Sequence, residues 1–385
     1  MKLAFILAYK NLVGSGLRTW LNVSVLSFAF VLIIFYNGMI DGWNEQARRD
    51  GIAWEYGGGQ LLNGQYDPYD PFTLQDGHGV LPAGENEGLI PVLMRQASLY
   101  PEGRMLSVTL KGIDPSQTTL ELPTHLLSEH SANLPVIIGK RMAEAANLEA
   151  GNEVLIRWRD KDGTYDAGNV TVVDVFDTNV PAVDNGQMWI SIHELWQMTG
   201  LENHATLYIA ETPGNSIDVK GWEFRSQKDL LKDLSDIIEM KKVSGSIMYL
   251  LLLAIALLAI FDTQVLSIFR RQREIGTYIA LGMTRLRVVW LFTIEGSMYS
   301  LLATAVGCVY GIPIFIYLAT AGIGMPTASQ NSGVIMAARI FPVYGAGLIF
   351  GTMVLVVVSA TIVSFLPSRK IATMNPVDAL KGKMQ

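Results

Sequence analysis

Residues 268–290 read IFRRQREIGTYIALGMTRLRVVW and lie between two long apolar runs. The stretch carries five arginines, Arg270, Arg271, Arg273, Arg285 and Arg287, and one acid, Glu274. Between the charged ends, Glu274 to Met283 reads as a short helix. Its apolar content is Ile275, Tyr278, Ile279 and Leu281, and Gly282 stands near its end. The meaning of this helix depends on what flanks it.

Apolar residues concentrate in four runs, each long enough to cross a bilayer core at about 1.5 Å per residue. Trp20–Ile40 carries no charge, Val243–Phe269 carries only Asp262, the run from Val288 to near Met325 carries only Glu295, and Ile340–Leu366 carries none. Buried core helices of a soluble protein are the alternative, and four runs of over 20 residues with two charges between them argue against it. The short helix therefore connects two spans and lies along a membrane surface.

Charge sets the orientation. Residues 1–18, 270–287 and the segment after Pro367 together hold 12 basic residues, including Lys2, Lys10, Arg369, Lys370, Lys381 and Lys383, against 2 acids, Glu274 and Asp378. Residues 41–240 hold 31 acids against 14 Lys and Arg. The positive-inside rule puts the first group in the cytoplasm, with both termini, and the second outside. The basic N-terminus fits a signal peptide, but the run is 21 residues and YNGMIDGW after it lacks a small-x-small site, so it reads as a retained anchor. The single cysteine, Cys308, lies in the third run, so the outside domain folds by core burial without a disulfide.

That domain reads as mixed α+β. Strands are expected in 88–100 and 104–113 with a turn at Pro101–Gly103 between them, and a helix over about Lys140–Leu148. DKDG (Asp160–Gly163) reads as a hairpin turn before the strand NVTVVDVF, and QMWISIHELWQMTG as a strand entering a helix that Gly200 stops. HATLYIAE is a last strand. In 226–242 Leu230, Leu231, Leu234, Ile237 and Ile238 form a helical stripe with Asp229, Lys232, Asp233 and Asp236 opposite. It reads either as a stalk helix continuous with the second span or as an amphipathic helix packed on its own domain.

Catalytic patterns fail. His193–Glu194 starts an HExxH motif, but Gln197 replaces the second ligand. His125 and His130 lack helical i, i+4 spacing, and Asp160, Asp162 and Asp166 lack the spacing and terminal Glu of a calcium loop. IIGKR (Ile137–Arg141) lacks the glycine spacing and hydroxyl of a P-loop. No enzyme is expected, and no metal or cofactor. Asp262 and Glu295 each stand eight residues from the nearest arginine, Arg270 and Arg287, about 12 Å into the membrane by helix rise. A hydrogen-bonded packing contact is favoured for them over a proton relay.

RRQREIGTYIALGMTRLRVVWLFTIEG resembles the signature of FtsX/MacB-type ABC permeases, carried by Glu274, Ile275, Gly276, Leu281, Gly282 and Glu295, with Ala280 also fitting and Ile279 replacing the usual basic residue. LPSRKIATMNPVDALKG resembles the family's C-terminal ending through Pro367, Arg369, Pro376, Ala379 and Leu380. LKGIDPSQ, VIIGKRMAEAANLEAGNEVLIR and VVDVF resemble the MacB-like periplasmic domain, and GGGQLLNGQYDPYDP the start of lipoprotein-releasing (LolC/LolE-type) permeases. One departure stands out. In one Lol permease type a protruding hook between two strands recruits a chaperone, and the corresponding Arg159–Asn169 here is short, polar and without proline.

The resemblance implies an α+β membrane protein: four transmembrane helices with a large mixed α/β periplasmic domain between the first and second. Its segments are 1–40 (cytoplasmic N-terminal helix and first span), 41–225 (MacB-like periplasmic domain), 226–269 (stalk and second span), 270–287 (cytoplasmic coupling helix), 288–366 (third and fourth spans, FtsX-like) and 367–385 (cytoplasmic tail). It implies an ATPase-coupling surface at Arg270, Arg271, Arg273, Glu274, Ile275, Gly276, Tyr278, Leu281 and Gly282. The pairs Gly307/Gly311 and Gly347/Gly351 are spaced for close helix packing. The implied function is that of a permease subunit in the bacterial inner membrane, working by mechanotransmission in lipoprotein release. Alternatives are MacB-like efflux with an adaptor and outer-membrane channel, and FtsX-like regulation of a cell-wall hydrolase. Implied partners are ABC ATPase subunits, which bring ATP and magnesium, a second or homologous permease copy, lipid, and for Lol members lipoproteins and a chaperone. No nucleic acid is among them.

The topology has a direct test. A cysteine placed at Gly163 is expected to react with an impermeant maleimide in intact cells, and one placed at Thr284 only after the cells are opened. The reverse pattern overturns the orientation.

Overall fold

The computed structural model describes residues 17–82, 84–129, 133–214, 218–326 and 334–373. Lys2, Lys10, His130, Pro376, Asp378, Ala379, Leu380, Lys381 and Lys383 lie outside the described residues. The described chain divides into two units at 42/43, 237/238, 323/324 and 340/341.

The chain enters through α1 (Leu17–Gly51), so the first helix runs eleven residues beyond the apolar run that ends at Ile40. Arg48 and Arg49 in its last turn suit the negative end of the helix dipole. A π-turn, Ile52–Tyr56, follows and ends at Gly57, whose φ of 52° and ψ of −133° suit glycine alone.

Nine strands then form one sheet: β1 (Gly59–Asn63), β2 (Leu89–Leu99), β3 (Leu106–Ile113), β4 (Pro135–Gly139), β5 (Glu153–Arg159), β6 (Tyr165–Phe176), β7 (Gln187–Ser191), β8 (Leu207–Ala210) and β9 (Trp222–Ser226). Their order is β3-β7-β4-β6-β5-β2-β8-β1-β9, and β2 also pairs with β3. Six strands thus close on themselves, and β8, β1 and β9 extend from β2 as an open wing. Parallel pairing occurs at β3–β7 and β4–β6. Burial alternates along β5, which sends Val154, Ile156 and Trp158 inward. They join Leu93, Leu110, Ile138, Val172 and Ile190 in one core. Two helices cover it: α2 (Lys140–Ala146), ended by Asn147 in the left-handed region, and α3 (Ile192–Thr199), ended by Gly200 at φ 71°. The strands, turns and helices expected in 88–113, 140–148, 153–176 and 187–200 form there, with ends shifted by a few residues.

The other unit is helical, built from the membrane-length helices α1, α4 (Lys232–Arg270), α6 (Arg285–Ala321) and α7 (Ala346–Ser368), with a short α5 (Gln272–Ala280) between α4 and α6. Its core joins Leu26, Phe30 and Ile34 of α1, Ala256 and Ile260 of α4, Ala303 of α6 and Val356 of α7. Two expectations shift. The 226–242 stripe is not one helix: a turn at Gln227–Leu230 closes with a capping box at Ser226, and Leu231 breaks it before α4 begins. From Lys232 to Arg270 the helix is continuous, Gly245 included. That glycine makes room for Tyr36, because a Cβ there would sit 2.0 Å from the ring, and the Tyr36 hydroxyl donates to Lys241 O at 2.8 Å. The fourth helix starts at Ala346 although the apolar run starts at Ile340. Pro342 keeps the chain extended, and Val343 N donates to Gly38 O at 2.9 Å.

Among the described residues the sheet domain holds a largely buried ion pair. Asp184 is fully buried and accepts from Arg141 Nη1 at 2.9 and 3.0 Å. Asp184→Ala leaves that guanidinium its bond to Thr178 O at 2.9 Å but removes its counter-charge, and is expected to cost about 3–5 kcal/mol. Thermal unfolding of the full chain in detergent checks this; a loss under about 1 kcal/mol would count the pair as dispensable.

Candidate functional site

Helix α5 is bounded by residues that cannot continue its neighbours. Arg271, at φ −102° and ψ 22°, breaks the path from α4. At the other end Leu281 N donates to Thr277 O at 2.9 Å and Met283 N to Tyr278 O at 3.0 Å. Gly282 takes φ 92°, a left-handed cap that only glycine adopts without strain. Thr284 then caps α6 in extended geometry.

The inward face of α5 packs into a small separate core. Ile275 is fully buried with Ile268 of α4, Val288, Val289 and Phe292 of α6, and Ile371. Ile371 belongs to the 3-10 turn Arg369–Thr373 after α7. The same turn gives its Ala372 carbonyl to Arg285 Nη1 at 2.9 Å, and Lys370 stands over the Phe269 ring at 5.9 Å. The short helix α5 is thereby held by residues from both flanking helices and from the chain after the fourth helix.

Arg271 ties the element together. Its Nη1 donates to Glu295 Oε2 at 2.8 Å and Oε1 at 2.9 Å, its Nε donates to Glu274 Oε2 at 2.7 Å, and its guanidinium lies 4.8 Å from the Phe292 ring. Burial works against the Arg271 charge, but Glu295 and then Glu274 outweigh it and hold its pKa above the ordinary value. The three side chains differ in exposure: 19% for Arg271, 12% for Glu295 and 54% for Glu274.

The nine residues singled out on this stretch therefore separate. Ile275 and Gly276 face inward, Tyr278 is half-buried, and Arg271 is engaged with its own chain. Arg270, Arg273, Glu274, Leu281 and Gly282 are exposed. Glu274, expected to face a partner, spends one oxygen on Arg271 while half its side chain stays open. Of the two carboxyls expected within the membrane, Glu295 has the polar contact expected of both. Asp262 is exposed on α4, and no hydrogen bond or ion pair holds it among the described residues. Gly307 and Gly311 approach Phe30 and Val31 of α1, where added Cβ atoms would stand at 2.8 and 3.1 Å. Gly347 and Gly351 meet nothing within 4 Å, so no close helix contact forms at them among the described residues.

Sequence reasoning treated Arg271 and Glu295 as separate features and missed their pairing. It also missed the packing role of Ile371. The signal for the pair was the turn at Gly282, which folds the start of α6 back alongside the end of α4. Elsewhere an acid of the 159–169 stretch serves the turn. Asp160 accepts from Thr164 N at 2.7 Å as a turn residue, and β5 and β6 pair from Arg159↔Tyr165 onward, so Arg159–Asn169 is a tight hairpin and not a protruding loop. Among the described residues no three His, Cys, Asp or Glu side chains converge as a metal site.

Residues 246–376, which contain this whole arrangement, match the family profile of the FtsX-like permease C-terminal domain. The chain carries an FtsX-like permease domain. It is 23% identical over 332 residues to the lipoprotein-releasing system transmembrane protein LolC of Neisseria meningitidis serogroup B, covering 76% of each chain. It is 26% identical over 158 residues to the macrolide export ATP-binding/permease protein MacB of Rhodopirellula baltica, covering 38% of this chain and 21% of that one. Among solved structures, the extracellular domain of the noncanonical ABC-type transporter YknZ from Gram-positive bacteria aligns with 40% of this chain and 83% of its own, at 16% identity and a TM-score of 0.25, too low to bear on the fold. Residues 246–376 thus form a permease domain of the FtsX type, and the chain is similar over longer stretches to the LolC and MacB permeases.

Within this FtsX-like domain the Arg271 clamp is expected to be the energetic centre. Arg271→Met takes from the largely buried Glu295 its two-pronged charged partner, at a predicted cost of about 3–5 kcal/mol. Glu274→Gln, at an exposed pair, is predicted to cost under about 1 kcal/mol. Comparing the unfolding of both variants in detergent decides the ranking, and equal losses would refute it.

Proposed function

We propose that this permease subunit takes lipoproteins from the inner membrane toward the outer membrane, driven by separate ABC ATPase subunits that hold the ATP and magnesium. The observation that carries the reading is the likeness to a protein named for lipoprotein release across 76% of both chains, beyond the permease domain alone. In this reading both termini and α5 are cytoplasmic, and the sheet domain is periplasmic.

The proposed mechanism is mechanical. Exposed Arg270, Arg273, Glu274 and Leu281 dock α5 into the ATPase, and the buried face of α5 with Arg271 passes its displacement into α6 through Glu295. Helix α4, 39 residues without a break, gives that displacement a stiff path. Asp262, exposed on a membrane-length helix, calls for cover by protein because a carboxylate facing hydrocarbon is costly. The open faces at Gly347 and Gly351 permit a close helix approach. Both support a second permease copy or a homologous one at these helices. A MacB-like efflux reading rests on the 158-residue likeness to MacB, which spans 21% of that protein.

Two measurements test this. With a co-expressed ABC ATPase, Glu274→Lys is expected to lower recovery of the complex at least about tenfold, one decade per 1.4 kcal/mol, by removing a charge-assisted contact that docking would shelter and adding a clash. Normal recovery would place the docking surface elsewhere. In proteoliposomes carrying the complex and a fluorescent lipoprotein, ATP is expected to transfer the lipoprotein to a soluble lipoprotein-binding chaperone. ATP turnover without transfer, coupled instead to movement of a small hydrophobic drug, would favour efflux.

A further inference from the structure

A pair of histidines in the sheet domain has no part in this mechanism. His78 Nδ1 and His204 Nδ1 lie 3.0 Å apart, with the rings edge-on at 76°. Reciprocal backbone bonds beside them, Gly79 N to Ala205 O at 2.9 Å and Ala205 N to Gly79 O at 2.8 Å, fix the two chain segments at this separation. On the His204 side, Trp196 Nε1 donates to the His204 carbonyl at 2.8 Å.

Only one proton fits between two nitrogens at that distance. With both rings neutral, one Nδ1–H donates to the other's lone pair. A second proton sets N–H against N–H. The surroundings offer it little relief. Arg95 of β2 donates to Gln75 O at 2.8 Å, close enough to His78 for their charges to repel, and Arg159 of β5 donates to Gln75 Oε1 at 3.0 Å. Asp76 is the acid that acts on His78 in the opposite sense.

The segment pinned here reaches α4. Between β1 and β2 it passes through turns closed by Asp70 N to Asp67 O, Thr73 N to Asp70 O and Gly77 N to Thr73 O. Within it the Tyr69 hydroxyl donates to Asp233, in the first turn of α4.

We propose that the His78–His204 contact is an acid-sensitive latch. The neutral pair holds residues 64–82 against the strand leading into β8. Protonation frees that segment together with its Tyr69–Asp233 bond to the start of α4. The sign follows from the environment. Burial lowers both histidine pKa values, and Arg95 and His204 help bring that of His78 to about 4, below the ordinary 6.5. The released segment therefore takes up the proton first. The latch is at full strength above about pH 6.5 and weakens as the pH falls toward about 4, by at most about tenfold per pH unit for one proton. The latch is a property of the sheet domain and needs no ATPase. Only its effect on transport rests on the function proposed above.

Hydrogen exchange of the full chain in detergent, without ATPase, tests it at pH 7.5 and 5.0 after correction for the intrinsic pH dependence of exchange. Protection of peptides within 66–79 is expected to fall about tenfold at pH 5.0, while β4 and β6 keep theirs. His204→Gln offers His78 a donor when neutral and an acceptor when protonated while burial and Arg95 remain, so its change is expected to be clearly smaller than that of the wild type. Unchanged wild-type protection at pH 5.0 overturns the proposal, as does a His204→Gln variant that loses protection as the wild type does. If β4 and β6 of that variant are unprotected at pH 7.5, His78→Gln gives the same reading from the other ring. ATPase binding and lipoprotein transfer do not enter this measurement, so failure of the latch and failure of the transport reading are told apart.

Discussion

A guanidinium at the edge of an apolar helix bundle must be neutralised, and in this chain Arg271 is neutralised from two sides at once. Glu295 reaches it from α6 and Glu274 from α5. The two contacts differ in kind. The bond to Glu295 is sheltered and two-pronged, so breaking it exposes a charge to a poor solvent. The bond to Glu274 is open to water and cheap to exchange. An element that must stay attached to its own helix while offering a surface to another protein needs this asymmetry.

The helical unit was largely legible in the sequence, because hydropathy and charge are strong signals when a chain must satisfy its backbone without water. The four runs became four helices. What failed was local. Hydropathy cannot separate a helix from an extended apolar segment, so Ile340 to Tyr344 was counted with the fourth helix until Pro342 and the bond from Val343 to Gly38 drew it out. Nor can it see that a helix continues past its apolar run, as α1 does to Gly51.

The site was legible in part. The glycine turn and the apolar positions of α5 followed from the residues, because Gly282 needs a left-handed backbone and Ile275 repeats with Tyr278 and Ile279 on one side. Partnerships across the chain did not follow. Nothing local to Glu295 names Arg271, and nothing local to Ile371 names Ile275. The glycine pairs teach the same lesson: two with equal spacing have different surroundings, one set against Phe30 and Val31 and the other open. Spacing states what a helix face permits, and the neighbour decides whether it is used.

Strand β2 is hydrogen-bonded to β3 along most of its length, to β5 near its end and to β8 near its start. An inserted or deleted residue there would put three registers out of step together, since a slip of one turns every side chain to the opposite face. The β5–β6 turn at Asp160–Gly163 is the converse case. It closes a two-stranded ladder at its tip, and its Lys161 N donates to Thr199 O at the end of α3 at 2.9 Å, so added residues there would disturb a turn contact but no strand register. Over evolutionary time the domain has a strand where length is nearly frozen and a turn where it is far freer, and new partner-binding loops can be tried at the second for the loss of a turn contact and not of the sheet.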